Sequence, residues 1–160
     1  MSQRAYSAAP AAIALGAATA KTVLMLIAGA NEWVNAITRV SISIDVATLL
    51  KVEFVESTQA TNGTAGTDFA SSLKQTRGFV AGDTTLPSGI GIRHTYTSEP
   101  TVLTVLDHFW INGPGPYKES FPLSRELQSL VSGATKYKAV GIRLTSTLAS
   151  NALVMVEFEC

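Results

Sequence analysis

The stretch that most constrains this chain is 93–123, RHTYTSEPTVLTVLDHFWINGPGPYKESFPL. Polar alternation from Arg93 to Thr97 stops at Glu99-Pro100, and a run rich in β-branched and aromatic residues follows over 101–111. Asn-Gly-Pro-Gly-Pro at 112–116 breaks that run, and 117–123 is extended again. Glycine and proline interrupt hydrogen-bonded ladders, whereas β-branched and aromatic side chains fit a pleated surface. The pattern therefore reads as strand, turn, long strand, turn, strand. Both alternate sets of the long run are largely apolar: Val102, Leu106 and Trp110 on one side, Leu103, Val105, Phe109 and Ile111 on the other. Such a strand either lies centrally between two layers or has its outer face covered by another chain.

The same grammar recurs along the chain. Residues 22–28 form a compact apolar run ended by Gly29-Ala30-Asn31, which reads as a buried strand. Residues 36–46 alternate cleanly, with Val40, Ile42 and Ile44 against Arg39, Ser41, Ser43 and Asp45, as in a strand with one wet face. Residues 51–57 repeat this with Val52 and Phe54 against Glu53, and 137–145 and 153–159 supply the last two strands. Polar, glycine-bearing stretches at 58–66 and 81–91 read as long exposed loops, and 70–80 is mixed. Ser124 is placed to cap a short helical turn over 124–130, with Leu127 and Leu130 over the end of the core. No long amphipathic helix alternates with the strands, which disfavours a parallel βαβ architecture. The expected fold is all-β, an antiparallel β-sandwich of jelly-roll type. Residues 1–20 would be an extended N-terminal arm, ordered across a neighbour or forming a first edge strand, and 21–160 a single domain.

Composition decides which partners to expect. Charged residues make up 15% of the 160, against about 25% in a typical soluble domain, and the mean hydropathy is +0.24. A surface so poor in charge is expected to be hidden in part by a partner. Lysine plus arginine and aspartate plus glutamate balance at 12 each, so the basic stripe of a nucleic-acid binder is missing and no direct nucleic-acid contact is expected. The single cysteine, Cys160, cannot make an intramolecular disulfide and reads as an incidental residue. Arg4 and the alanine-rich segment around Ala18-Thr19-Ala20 imitate a secretory signal loosely. The greasy part, 23–28, is far short of the roughly 20 apolar residues that cross a bilayer, and Lys21 precedes it. The expectation is synthesis in the cytoplasm with no membrane partner.

Catalytic chemistry is scarce. Asp107 and His108 are neighbours on a strand and point to opposite faces, so one cannot orient the other as in a triad, and no nucleophile elbow is present. His94 and His108 lack metal-ligand spacing, and Asp83 has no second acid beside it. Gly89-Ile90-Gly91 and Gly113-Pro114-Gly115 read as turns rather than phosphate cradles. Glu53, Glu56, Glu119, Glu157 and Glu159 read as solvated strand faces rather than a glycosidase pair. Trp33, Tyr96, Trp110, Tyr117 and Tyr137 read mainly as core, with an interface or sugar-stacking role as the other use of such rings. No catalytic residue, metal or cofactor is expected.

Several segments together resemble small β-sandwich proteins of tailed-phage structural gene clusters. They are the alanine-rich arm feeding TVLMLI at 22–27, RVSISID at 39–45, VEFVES at 52–57 and the Gly-Thr-Ala-Gly loop at 63–66. HTYTSEPTVL at 94–103, FPL at 121–123, AVGIRLT at 139–145 and VMVEFE at 154–159 complete the set. The resemblance implies a head decoration (capsid-stabilising, or cement) protein that binds the outside of a lattice of major capsid protein, commonly as a homotrimer. It carries no catalytic residues, and it leaves tail or connector subunits open. On that reading the candidate capsid and subunit contacts are Arg4, Tyr6, Ile13 and Leu15 of the arm, Asn62 and Thr64 of the first loop, and Asp83 and Leu86 of the second. Trp33, Trp110 and Tyr117 are the candidate interface aromatics. The competing class is a carbohydrate- or receptor-binding jelly roll, for which Trp110 beside Asn112, or Trp33 beside Asn31 and Asn35, would serve. A hydrolase is the third class.

Overall fold

Alternation with period two and frequent glycine or proline breaks produce short strands. A computed structural model of the chain describes residues 5–9, 11–27, 35–57, 64–68, 73–77, 91–121, 127–129 and 139–159. Its strands run in order β1 (Ala5–Ala8), β2 (Ile13–Leu15), β3 (Ala20–Ile27), β4 (Asn35–Ile44), β5 (Leu49–Ser57) and β6 (Thr64–Asp68). They continue with β7 (Leu73–Arg77), β8 (Gly91–Ser98), β9 (Thr104–Asn112), β10 (Gly115–Ser120), β11 (Leu127–Ser129), β12 (Ala139–Ser146) and β13 (Ser150–Glu159). The described residues contain no helix. The larger sheet has the order β10-β4-β13-β1-β7, with β11 also beside β4 and β2 also beside β13. The smaller has the order β6-β8-β3-β12-β5-β9. Pairing between named strands is antiparallel throughout, and the two sheets pack as a β-sandwich.

The alternation sets the core directly. Val40, Ile42 and Ile44 of β4 and Val154, Val156 and Phe158 of β13 meet Leu50, Val52 and Phe54 of β5 and Ile142 and Leu144 of β12. Arg39 and Glu157, opposite each other on the outer face of the larger sheet, make a 3.2 Å ion pair.

The middle of the smaller sheet is covered on both faces. Leu24 and Leu26 of β3 point into the sandwich, while Met25 joins Val55, Tyr96 and Ala139 in a second cluster on the other side. Strand β8 lies on the far side of β3 and β12 from β9, so the chain between them must cross that outer face. It does so as a strap. Glu99 accepts a 2.9 Å hydrogen bond from the Thr22 backbone N–H, Pro100 is buried, and Leu103 packs on the second cluster.

Three expectations need correction. The arm does not leave the fold over the described residues: β1 pairs with β13 and β7, and β2 pairs with β13. Tyr6 is fully buried and stacked on Phe158 at 5.5 Å, because its small neighbours let the strand lie flat against the sheet. The expected helical turn is extended at Leu127–Ser129, where the end of β4 offers Asn35, Ala36 and Ile37 as ladder partners. Part of the first expected loop is likewise strand: β6 pairs with β8 from Thr64 onward.

Candidate functional site

The long run at 101–111 does not become a central strand. Strand β9 terminates the smaller sheet, and among the described residues β5 is its only ladder partner. Its pattern of side chains explains both its position and its exposure. Phe109 and Ile111, opposite Val52 and Leu50, are half-buried against the core, while Trp110 opposite Lys51 is 54% exposed. A register shift between Phe54 and Val55 leaves Leu106 unpaired, a β-bulge. The bulge switches faces: Val105 lies opposite Val55 and so shares the outer face with Trp110, not the inner face with Phe109. Simple alternation through 101–111 had placed it with Phe109. Val102, Val105, Leu106 and Trp110 are all exposed, and Leu49, opposite Asn112, extends the patch onto β5. Five of the seven large exposed apolar side chains among the described residues lie along β9, just before it or on the β5 residue opposite its end, which makes this edge the candidate interaction site.

A charged cluster borders it. Arg143, Glu53 and His108 lie opposite one another across β12, β5 and β9. Glu53 is 4% exposed, not on a solvated face as its alternation implied, and Lys51 and Arg143 close over it. It accepts from Lys51 Nζ at 2.7 Å and from Arg143 Nε at 2.8 Å. Burial pushes the Glu53 carboxyl up, but the two hydrogen bonds and charges outweigh it and hold the group below the ordinary glutamate value. Lys51, Glu53 and Arg143 form a triad that ties β5 to β12.

Where β9 turns toward β10, an aromatic group closes the seam between the sheets. Phe109 meets Phe54 at 5.7 Å and Tyr117 at 4.7 Å, and Phe121 meets Phe54 edge-on at 5.4 Å. The turn is tight at Gly113, where a β-carbon would strike the Val46 carbonyl and the Ile44 side chain. Tyr117 donates to the Glu119 carboxylate. Burial first, then that bond and the negative charges of Glu119 and Asp107, raise the tyrosine above its ordinary value. Asp107 and His108 are both exposed, and the Asp107 carboxylate accepts from the His108 backbone N–H at 2.7 Å rather than from its ring. Among the described residues no three histidine, cysteine, aspartate or glutamate side chains gather to hold a metal ion.

The remaining candidates divide sharply. Tyr6, Ile13 and Leu15 are buried in the core of their own chain, so in this arrangement they present no surface to a neighbour. Thr64 begins β6. Trp110 is on the exposed edge and Tyr117 is half-buried in the seam. Arg4, Trp33, Asn62, Asp83 and Leu86 lie outside the described residues. Sequence reasoning missed the Lys51–Glu53–Arg143 triad. Its one signal was a glutamate set between Val52 and Phe54 in a strand whose next outward residue, Val55, is also apolar.

No protein-family model, curated protein or solved structure matches this chain.

Proposed function

We propose that this chain is a non-enzymatic virion structural protein that binds the outer surface of a phage capsid lattice and stabilises it. The observation that carries the reading is the β9 edge, where Val102, Val105, Leu106, Trp110 and Leu49 stay exposed on a chain with few charges. Apolar surface of that kind rimmed by polar groups marks protein contacts. The strand order supports the jelly-roll connectivity found in viral capsid domains. Strands β2, β4, β10 and β13 belong to one sheet, and β3, β5, β9 and β12 to the other. The chain passes from sheet to sheet at β2–β3, β3–β4, β4–β5, β6–β7, β7–β8, β9–β10, β11–β12 and β12–β13. The last two strands return to the middle of their sheets, β12 between β3 and β5 and β13 between β4 and β2. The partner would be the major capsid protein, the copy number implied by the resemblance is three, and the location is the capsid exterior. A protein that binds only the assembled shell shifts the equilibrium toward the shell by mass action.

The test is sedimentation of the purified chain with emptied phage capsids and with unassembled capsid subunits. Saturable binding to shells alone, with a rise in the temperature at which the shells disrupt, is expected. Equal binding to free subunits, or none to shells, rejects the reading and leaves a tail or connector role.

A second reading rests on Trp110, whose exposed ring shares a face with Asn112 beside Lys51. That is the arrangement of a sugar-stacking platform. Specific glycan-array binding that disappears in Trp110→Ala would favour it over the capsid role.

A further inference from the structure

We propose that the outer face of the smaller sheet, where β12, β5 and β9 lie side by side, binds a saccharide bearing one carboxylate, its ring on Trp110 and its carboxylate on Lys51 and Arg143. The inference rests on the sugar-platform reading above and names the ligand class of that site. Two rows of side chains make the surface. Arg143, Glu53 and His108 form one row and Thr145, Lys51 and Trp110 the other, each residue directly opposite the next across the ladders. Opposed side chains in antiparallel strands stand about 4.5–5.5 Å apart and diagonal ones about 7–8 Å. Lys51 therefore adjoins the indole directly and the guanidinium diagonally. The strap residue Leu103 packs on the Met25–Val55 cluster, further along the same face. The Lys51 and Arg143 side chains keep 31% and 26% of their surface open, and Trp110 is 54% exposed.

The fold fixes the charge of this surface. Two cations share the one carboxylate of Glu53, which leaves the triad with a single net positive charge. Arg143 reaches Glu53 through Nε, and its terminal Nη groups make no hydrogen bond among the described residues. A guanidinium held in this way presents a planar pair of donors that matches a carboxylate. Neighbouring acids do not cancel the charge. Asp107 lies opposite Phe54, on the inward-facing side of the sheet, and the Glu99 carboxylate is engaged by the Thr22 N–H across β3. One unit of positive charge suits a monoanion, whereas a nucleic-acid strand requires a basic tract that the balanced composition does not provide. Trp110 offers an apolar face to one side of a sugar ring, and Thr145, His108 and Asn112 offer polar partners to its hydroxyls from the same outer face.

The test is calorimetric titration of the full chain with oligosaccharides ending in one glucuronic, galacturonic or sialic acid. Each is run beside the same sugar with its carboxyl group reduced to the alcohol. At low salt at least one acid should bind about 10- to 100-fold more tightly than its reduced form, and added salt should weaken the preference. Lys51→Gln, which removes the net charge, should erase the preference, and Lys51→Arg should restore it. Trp110→Ala should abolish binding, and circular dichroism melts of each variant separate loss of binding from loss of fold. Equal binding of acid and reduced forms that disappears in Trp110→Ala overturns the proposal and leaves the platform reading standing. Binding of neither form overturns both, and an acid preference unchanged by Lys51→Gln or by Trp110→Ala overturns the site assigned here.

Discussion

At the scale of single residues, two positions govern how closely the smaller sheet can be packed. Gly141 lies beneath the second cluster, and a β-carbon there would run into the Leu24 carbonyl and the Met25 sulfur. Backbone cannot yield as a flexible side chain can, so Gly141→Ala is expected to destabilise by about 1–3 kcal/mol, read from the urea midpoint. Glu53 is the other. Its depressed pKa means that its contribution to stability is complete above the ordinary glutamate value of 4.5 and is lost as pH falls through the lower folded value. Glu53→Gln should therefore cost about 2 kcal/mol at neutral pH. Its deficit against the parent should shrink as unfolding is measured at progressively lower pH below that value. A deficit that is constant with pH would show that shape, not charge, is what matters at this position. The sequence displayed Glu53 as one more alternating charge. What it could not display was that β12 and β9 would flank it with Arg143 and His108.

At the scale of elements, the strap from β8 to β9 and the edge strand it feeds are two consequences of one crossing. The strap is held by the Glu99 carboxylate on the Thr22 N–H and by Leu103 on the second cluster. Glu99→Ala leaves a buried backbone donor unmatched and is expected to cost about 1–3 kcal/mol. Hydrogen exchange should show protection falling at Thr22 while the amides of β4 and β13 keep theirs. Uniform loss across both sheets would mean that the strap is part of the global core. Residues 22–27 and 101–111 carry the same signature, apolar on both faces. The first is covered from both sides because β3 sits mid-sheet under the strap, and the second is half bare because β9 ends the sheet.

At the scale of the whole molecule, the N-terminal strands bear on every assembly experiment. Tyr6 and Ala8 are fully buried and Ile13 and Leu15 nearly so. Removing residues 1–8 should therefore lower the melting temperature sharply or abolish the cooperative transition, as followed by circular dichroism. Tyr6→Ala alone should cost about 3–5 kcal/mol. A truncated chain that melts like its parent would show that β1 is dispensable and free to reach a neighbour.

Local chemistry in the sequence determined the all-β class, most strand positions and the inward sets of β4, β5 and β13, since period-two alternation and glycine–proline punctuation act within a few residues. The tertiary structure alone decided which strand lies at an edge, where the bulge at Leu106 reverses a face, and which carboxylate becomes buried. Those depend on strand order and register across 100 or more residues of chain, as in the link from Thr38 to Glu157. The candidate site was legible as an apolar, aromatic segment that is either central or bare on its outer face within one chain, and strand order decided between the two, because exposure is a property of what fails to pack against it.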